Sequence, residues 1–147
     1  MNRKPSQGHQ RERGVSRRAD RGSKERPPAA IEFSAEERLL LRDWCAARGC
    51  DLDEASIRRL ASFRHLLIDW NARTNLTSVT GPREILIKHF LDSLAILPWL
   101  PEDAPVLDIG TGAGFPGMVL KLARLSQPVA LAEATGKKIG FLEHARR

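Results

Sequence analysis

The sequence predicts an α/β chain in which a helical N-terminal segment precedes the first part of a parallel, doubly wound sheet. Two observations predict it. Between residues 53 and 70 the apolar side chains Ile57, Leu60, Phe63, Leu67 and Trp70 recur every three or four positions, one stripe of an amphipathic helix. From residue 105 the pattern becomes short apolar runs, Val106-Leu107-Asp108-Ile109 and Val129-Ala130-Leu131-Ala132, each followed by a turn and a helical stretch. Strand, helix, strand, helix is how a parallel sheet begins. The expected regions are residues 1–30, 31–101 and 102–147.

The charge of the chain sits at one end. Of 147 residues, 24 are Lys or Arg and 18 Asp or Glu, a net charge of +6. Residues 1–30 hold nine basic and three acidic side chains, which is the whole excess. That segment has almost no apolar content and cannot offset its ordering entropy, so a disordered basic tail is expected. It reads either as an arm that neutralises RNA phosphates or as a solubilising extension. No apolar run is long enough for a transmembrane helix, and the start lacks the apolar stretch of a secretory signal. Cys45 and Cys50 are too few for a disulfide framework or a zinc site, and read as small packed side chains. A cytoplasmic protein without membrane or metal is the expectation.

Order is expected from Phe33. Ser34-Ala35-Glu36-Glu37 is a capping-box pattern, opening a helix that carries Leu40, Leu41 and Trp44 and ends at Gly49. Asp53 is a fitting N-cap for the second helix. Arg58, Arg59 and Arg64 fall largely off its apolar stripe, as a solvated face or as RNA contacts. The polar run 71–77 favours side-chain-to-backbone bonds over further helix. Gly81-Pro82 restarts a helix with Thr80 as a cap, and the apolar stretch 85–97 stops at Pro98 and Pro101. Pro116 opens the next helix. The last begins at Thr135-Gly136, with Ile139, Phe141 and Leu142 facing inward.

The chemistry lies in Leu107-Asp108-Ile109-Gly110-Thr111-Gly112-Ala113-Gly114-Phe115-Pro116-Gly117. Glycines between a strand and a helix let a cofactor approach the backbone and permit positive φ. The dinucleotide fingerprint Gly-x-Gly-x-x-Gly fails from Gly110 but is met by Gly112, Gly114 and Gly117. Pro116 weakens that register, since it has no N–H to offer a phosphate. Asp108 points the same way: a carboxylate at the strand end repels a pyrophosphate and attracts an ammonium or a sulfonium. Glu133, at the end of the second strand, can accept both hydroxyls of an adenosine ribose under either reading. Together these residues specify a nucleoside cofactor, with S-adenosyl-L-methionine favoured over a nicotinamide dinucleotide.

With these residues in view, the chain resembles the bacterial 16S ribosomal RNA guanine-N7 methyltransferase family, also called glucose-inhibited division protein B. Four blocks carry the resemblance: Trp70-Asn71 with Thr74-Asn75-Leu76-Thr77; His89-Phe90-Leu91-Asp92-Ser93-Leu94; the glycine block ending in Phe115-Pro116-Gly117; and Glu133 with Gly136-Lys137-Lys138 and Phe141-Leu142. The resemblance covers about residues 34–147. It implies a class I S-adenosylmethionine-dependent (Rossmann-like) methyltransferase sheet. It implies that Gly110 and Phe115 hold the cofactor, that Gly112 and Gly114 complete the loop, that Asp108 meets the methionine end and that Glu133 holds the ribose. Asn75, His89 and Asp92 wall the pocket or serve as caps and core hydrogen bonds. Lys137 and Lys138 reach RNA phosphates or are an exposed helix start.

The implied activity is methyl transfer to N7 of a guanine in 16S rRNA of the small ribosomal subunit, by a monomer. N7 carries a free lone pair, so no general base is needed and no catalytic side chain is named. A sheet of this type has roughly six strands, and two are legible. The chain is therefore expected to be incomplete, and to bind S-adenosylmethionine weakly or not at all by itself. The rivals are a catalytically inert RNA-binding fragment and an NAD-binding oxidoreductase fragment.

Overall fold

A computed structural model describes Met1 and residues 31–147. The basic tail expected at 1–30 lies, apart from Met1, outside the described residues. Helix α1 (Ala35–Ala46) starts as its capping box requires: Ser34 Oγ accepts from the Glu37 amide at 3.1 Å, and the Glu37 carboxylate accepts from the Ser34 amide at 2.9 Å. Leu41 and Cys45 are its buried residues, and Gly49 takes a left-handed φ of 69° just beyond it. Cys45 and Cys50 are both buried free thiols, and burial drives the Cys45 thiol far up.

Helix α2 (Glu54–Thr74) is capped by Asp53, whose carboxylate accepts from the Ser56 amide at 2.6 Å. It runs about a turn beyond the expected end. Thr74 bonds back to the Trp70 carbonyl at 2.6 Å without breaking the helix, and the turn closes only at Asn75, with φ 48°. The Arg reading is also corrected. Arg64 is 8% exposed: it pairs with Glu37 at 2.6 Å and lies over the Phe33 ring. Arg59 donates to the Leu122 carbonyl at 2.9 Å. Only Arg58 of the three is exposed.

Two further differences concern the third helical stretch. Gly81, not Thr80, is its N-cap, without a side-chain bond. The stretch is also composite: α3 (Pro82–Ile85), a π-helical segment (Leu86–Leu91), α4 (Asp92–Leu94) and a 3-10 turn (Leu97–Trp99). One side is wholly core, with Ile85, Leu86, Phe90 and Leu94 at zero exposure.

Strands β1 (Val106–Ile109) and β2 (Val129–Ala132) pair in parallel, Val106 opposite Val129 and Ile109 opposite Ala132. Helix α5 (Gly117–Ala123) connects them and α6 (Gly136–Ala145) follows. The expected α/β class is thus observed. Strand alternation turns Val106, Asp108, Val129 and Leu131 inward and leaves Leu107 and Ile109 exposed. Phe63 ties the halves together, with ring centroids 5.9 Å from Phe90, 5.8 Å from Phe115 and 5.8 Å from Phe141. Ile139, expected to face inward, is 36% exposed. It borders a cavity of about 700 Å³ with Met118, Leu122, Val129 and Leu131. That cavity is mainly apolar and opens beside β2.

The Arg64–Glu37 pair generates a prediction. Burial alone would raise the Glu37 pKa, but its bonds to Arg64 and Ser34 outweigh that and hold it below the usual value. The pair therefore stabilises the fold above the unfolded glutamate pKa, and that contribution is lost as pH falls. In urea denaturation at neutral pH, Arg64→Ala is expected to cost about 3 kcal/mol. Arg58→Ala is expected to stay within about 0.5 kcal/mol.

Candidate cofactor site

The chain leaves β1 at Ile109 and makes a tight turn in which Gly110, Gly112 and Gly114 have φ of 77°, 62° and 95°. The amides of Gly110 and Thr111 both reach the Ala132 carbonyl, at 2.8 and 3.2 Å, so the loop is pinned to the end of β2. The glycines divide into two kinds. A Cβ at Gly110 would meet nothing within 4 Å, and one at Gly112 only the Lys138 ammonium and the Gly110 carbonyl, at 3.9 and 4.0 Å. The backbone there is open to a ligand. A Cβ at Gly114 would stand 2.9 Å from that of Met118, and one at Gly117 would strike Leu131 and Asp108. These two positions are needed for packing.

Asp108 sits on the inward face of β1. Its Oδ2 accepts from Thr111 Oγ1 at 2.5 Å and from the Gly117 amide at 2.8 Å. Glu133, just beyond β2, accepts from the amides of Ala134 and Thr135 with one oxygen, at 3.0 and 2.8 Å, and from Gly112 with the other, at 2.9 Å. The Thr135 amide chiefly, with those of Gly112 and the Lys138 charge, holds its pKa down to about 2.

The upstream blocks converge on Phe115. The Asn71 side chain exchanges two hydrogen bonds with the Thr77 backbone, at 2.9 and 3.0 Å. Thr77 Oγ1 lies 2.9 Å from His89 Nε2, and the His89 ring stacks on Phe115 at 4.5 Å. Burial pushes the His89 pKa below the ordinary value, against the opposing pull of Asp92. His89 and Asp92 line one hollow together with Phe115 and Pro116. Asn75 borders another, with Thr77, Lys137 and Lys138, so the three polar residues do not share one pocket. The roles of Thr111 and Thr77 were not anticipated. Local spacing offered a signal for Thr111, three residues after Asp108, and none for the Thr77–His89 contact.

A strand, a positive-φ glycine turn, a helix and a second parallel strand define an α/β chain with the opening of a doubly wound, Rossmann-like sheet. Comparison with known proteins narrows the class. The family model described as GidB, rRNA small subunit methyltransferase G, matches residues 56–147, and the chain belongs to that family. Ribosomal RNA small subunit methyltransferase G of Myxococcus xanthus is 46% identical over 101 residues, 69% of this chain and 46% of that protein. The protein of the same name from Desulfotalea psychrophila is 46% identical over 104 residues, 70% of this chain and 48% of the relative. That from Alkaliphilus metalliredigens is 36% identical over 110 residues, 74% and 46% respectively. The chain spans about half the length of these curated relatives. Among the described residues no cluster of His, Cys, Asp and Glu fit for a metal ion occurs, and no helix is long and apolar enough to cross a membrane.

Gly117→Ala is expected to destabilise the fold by about 2 kcal/mol or more in urea titration, because the backbone of α5 must lift off the strands. Gly110→Ala meets no clash and is expected to cost about 1 kcal/mol, from its positive φ alone. For Glu133, carbon-13 NMR is expected to show the carboxylate titrating near pH 2, with the Gly112 amide proton following the same curve. Its stabilising contribution is present above the unfolded glutamate pKa and is lost as pH falls towards 2.

Proposed function

We propose that the protein transfers a methyl group from S-adenosyl-L-methionine to N7 of a guanine in 16S rRNA of the small ribosomal subunit. One observation carries the choice of cofactor: the amide donors at the start of α5 are consumed inside the protein. A dinucleotide fold seats its pyrophosphate on such donors. Here Pro116 has none, the Gly117 amide is given to Asp108, and the Met118 amide to the Gly114 carbonyl at 2.9 Å. An anion would find an occupied helix end with a carboxylate behind it. Two of the three glycines of the Gly112–Gly114–Gly117 register, Gly114 and Gly117, therefore serve packing, and the oxidoreductase alternative loses its phosphate site at that helix end.

The residues fit a nucleoside with a cationic sulfur. Gly110 and Gly112 offer open backbone, and Phe115, in the same turn, has its ring fixed by His89. Gly114 completes the turn. Glu133 already faces Gly112, and a carboxylate that accepts three amides retains capacity for ribose hydroxyls. Asp108 uses Oδ2 to brace the loop, leaving Oδ1 for an ammonium group. Bound there, S-adenosylmethionine supplies an electrophilic methyl group. The chain's part is to orient: N7 has its own lone pair, so what matters is alignment. Lys137 donates to the Asn75 carbonyl at 3.1 Å and Lys138 stands over Gly112, so Lys138 serves the cofactor loop before any RNA. Action in the cytoplasm as a monomer completes the reading.

Amide NMR titration tests it. S-adenosylhomocysteine at millimolar concentration is expected to shift Gly110, Gly112 and Thr135, whereas NAD leaves them in place. NAD shifting these amides, with S-adenosylhomocysteine inert, reverses the assignment.

A further inference from the structure

Helix α1 ends in a turn that brings the two cysteines of the chain together. The Gly49 amide donates to the Ala46 carbonyl at 3.2 Å, and the Cys50 amide to the Cys45 carbonyl at 3.1 Å. Gly49 is the left-handed residue that allows both bonds. In a helix end closed this way, the two residues joined by the outer bond also bring their side chains into contact, commonly two apolar groups. Here both are cysteine. The Cys50 thiol donates to the Cys45 carbonyl at 3.4 Å, and the two residues are 5% and 2% exposed.

The turn that covers them is exposed and held only locally. Residues 46–49 face solvent, and the amides of 47–50 all bond back into the last turns of α1. Arg48 does the same, with its guanidinium over the Trp44 ring and bonded to the Trp44 carbonyl. A helix end tied down by such bonds opens without unfolding the rest. Closed, the pair is inert, because burial first and the Cys50 thiol second keep the proton on Cys45. Open, both thiols can ionise. Among the described residues no third ligand joins them in a metal-binding group.

We propose that Cys45 and Cys50 are a reversible redox pair, which closes to an intrachain disulfide when it meets a small-molecule disulfide such as oxidised glutathione. The Cys50 thiol lies beyond the helix and reacts first. It loses its proton and attacks the oxidant, which releases one glutathione thiolate and leaves a mixed disulfide on Cys50. The Cys45 thiolate then displaces the second glutathione. Two electrons pass to the oxidant, which leaves as two thiols carrying the two protons that the protein gives up. A disulfide requires Cα atoms roughly 4.4–6.8 Å apart, a range that suits residues already joined amide to carbonyl. In a glutathione pool kept reduced the pair rests as thiols, and it closes as the pool turns oxidising. None of this depends on the proposed methyl transfer.

Intact mass spectrometry on the 147-residue chain reads the outcome directly, because Cys45 and Cys50 are its only cysteines. After equilibration with oxidised glutathione and alkylation, a monomer lighter by two hydrogens and free of alkyl label is expected. The equilibrium constant for closure is expected to be about tenfold larger in the folded chain than in urea, because the fold holds the two thiols together. A disulfide-linked dimer, a persistent glutathione adduct, or two thiols that still take the label overturns the proposal. So does an equal constant in the folded and unfolded chain.

Discussion

The seating of α5 on the two strands is the constraint from which the rest of the site follows. Gly117 has no side chain, so the first turn of α5 comes down on Leu131 and Asp108 closer than any Cβ would allow. At that distance the Asp108 carboxylate reaches the Gly117 amide and the Thr111 hydroxyl together. The loop between them is thereby fixed at both ends. A negative group held against the positive end of a helix is favourable in itself, and here it also removes that helix end from use by an anionic ligand. One packing contact thus positions the loop and occupies the first amide of α5.

The aromatic cluster transmits that position to the helical segment. Phe63 of α2 touches the rings of Phe90, Phe115 and Phe141, which come from three separate parts of the chain. Trp70 extends the cluster against Phe141 and His144. Rings of this size fill the space between helices of differing direction and gain from tilted and edge-on contacts. The loop beyond the first strand is therefore supported by side chains that precede the sheet in sequence.

Much of this was legible because it is local. The capping box at Ser34, the Asp53 cap, the stripe of α2, the two strands and the glycine turn each depend on residues within a turn or two of one another. Arg64 was misread because it flanks the stripe, one position after Phe63, and only the docking of α1 decides whether that flank is solvent. The orientation of Asp108 was available from strand alternation, which puts it on the same face as Val106, but its residue type suggested a ligand first. The side-chain chain from Asn71 to Phe115 was not legible. It joins residues whose proximity depends on the phase of a helix with a π-helical segment, and nothing in the composition of 86–91 announces that change.

The outer face of the sheet carries one more consequence. Leu107 and Ile109 stand in a row, 62% and 78% exposed, on strands whose other face is covered by helices. Water around such a row is released when any apolar surface settles on it, at about 25 cal/mol for each Å² covered. Solutes excluded from protein surfaces, such as sulfate, strengthen that tendency, and denaturing cosolvents weaken it. The solution behaviour of the chain is thereby tied to the choice of salt through apolar side chains such as these two.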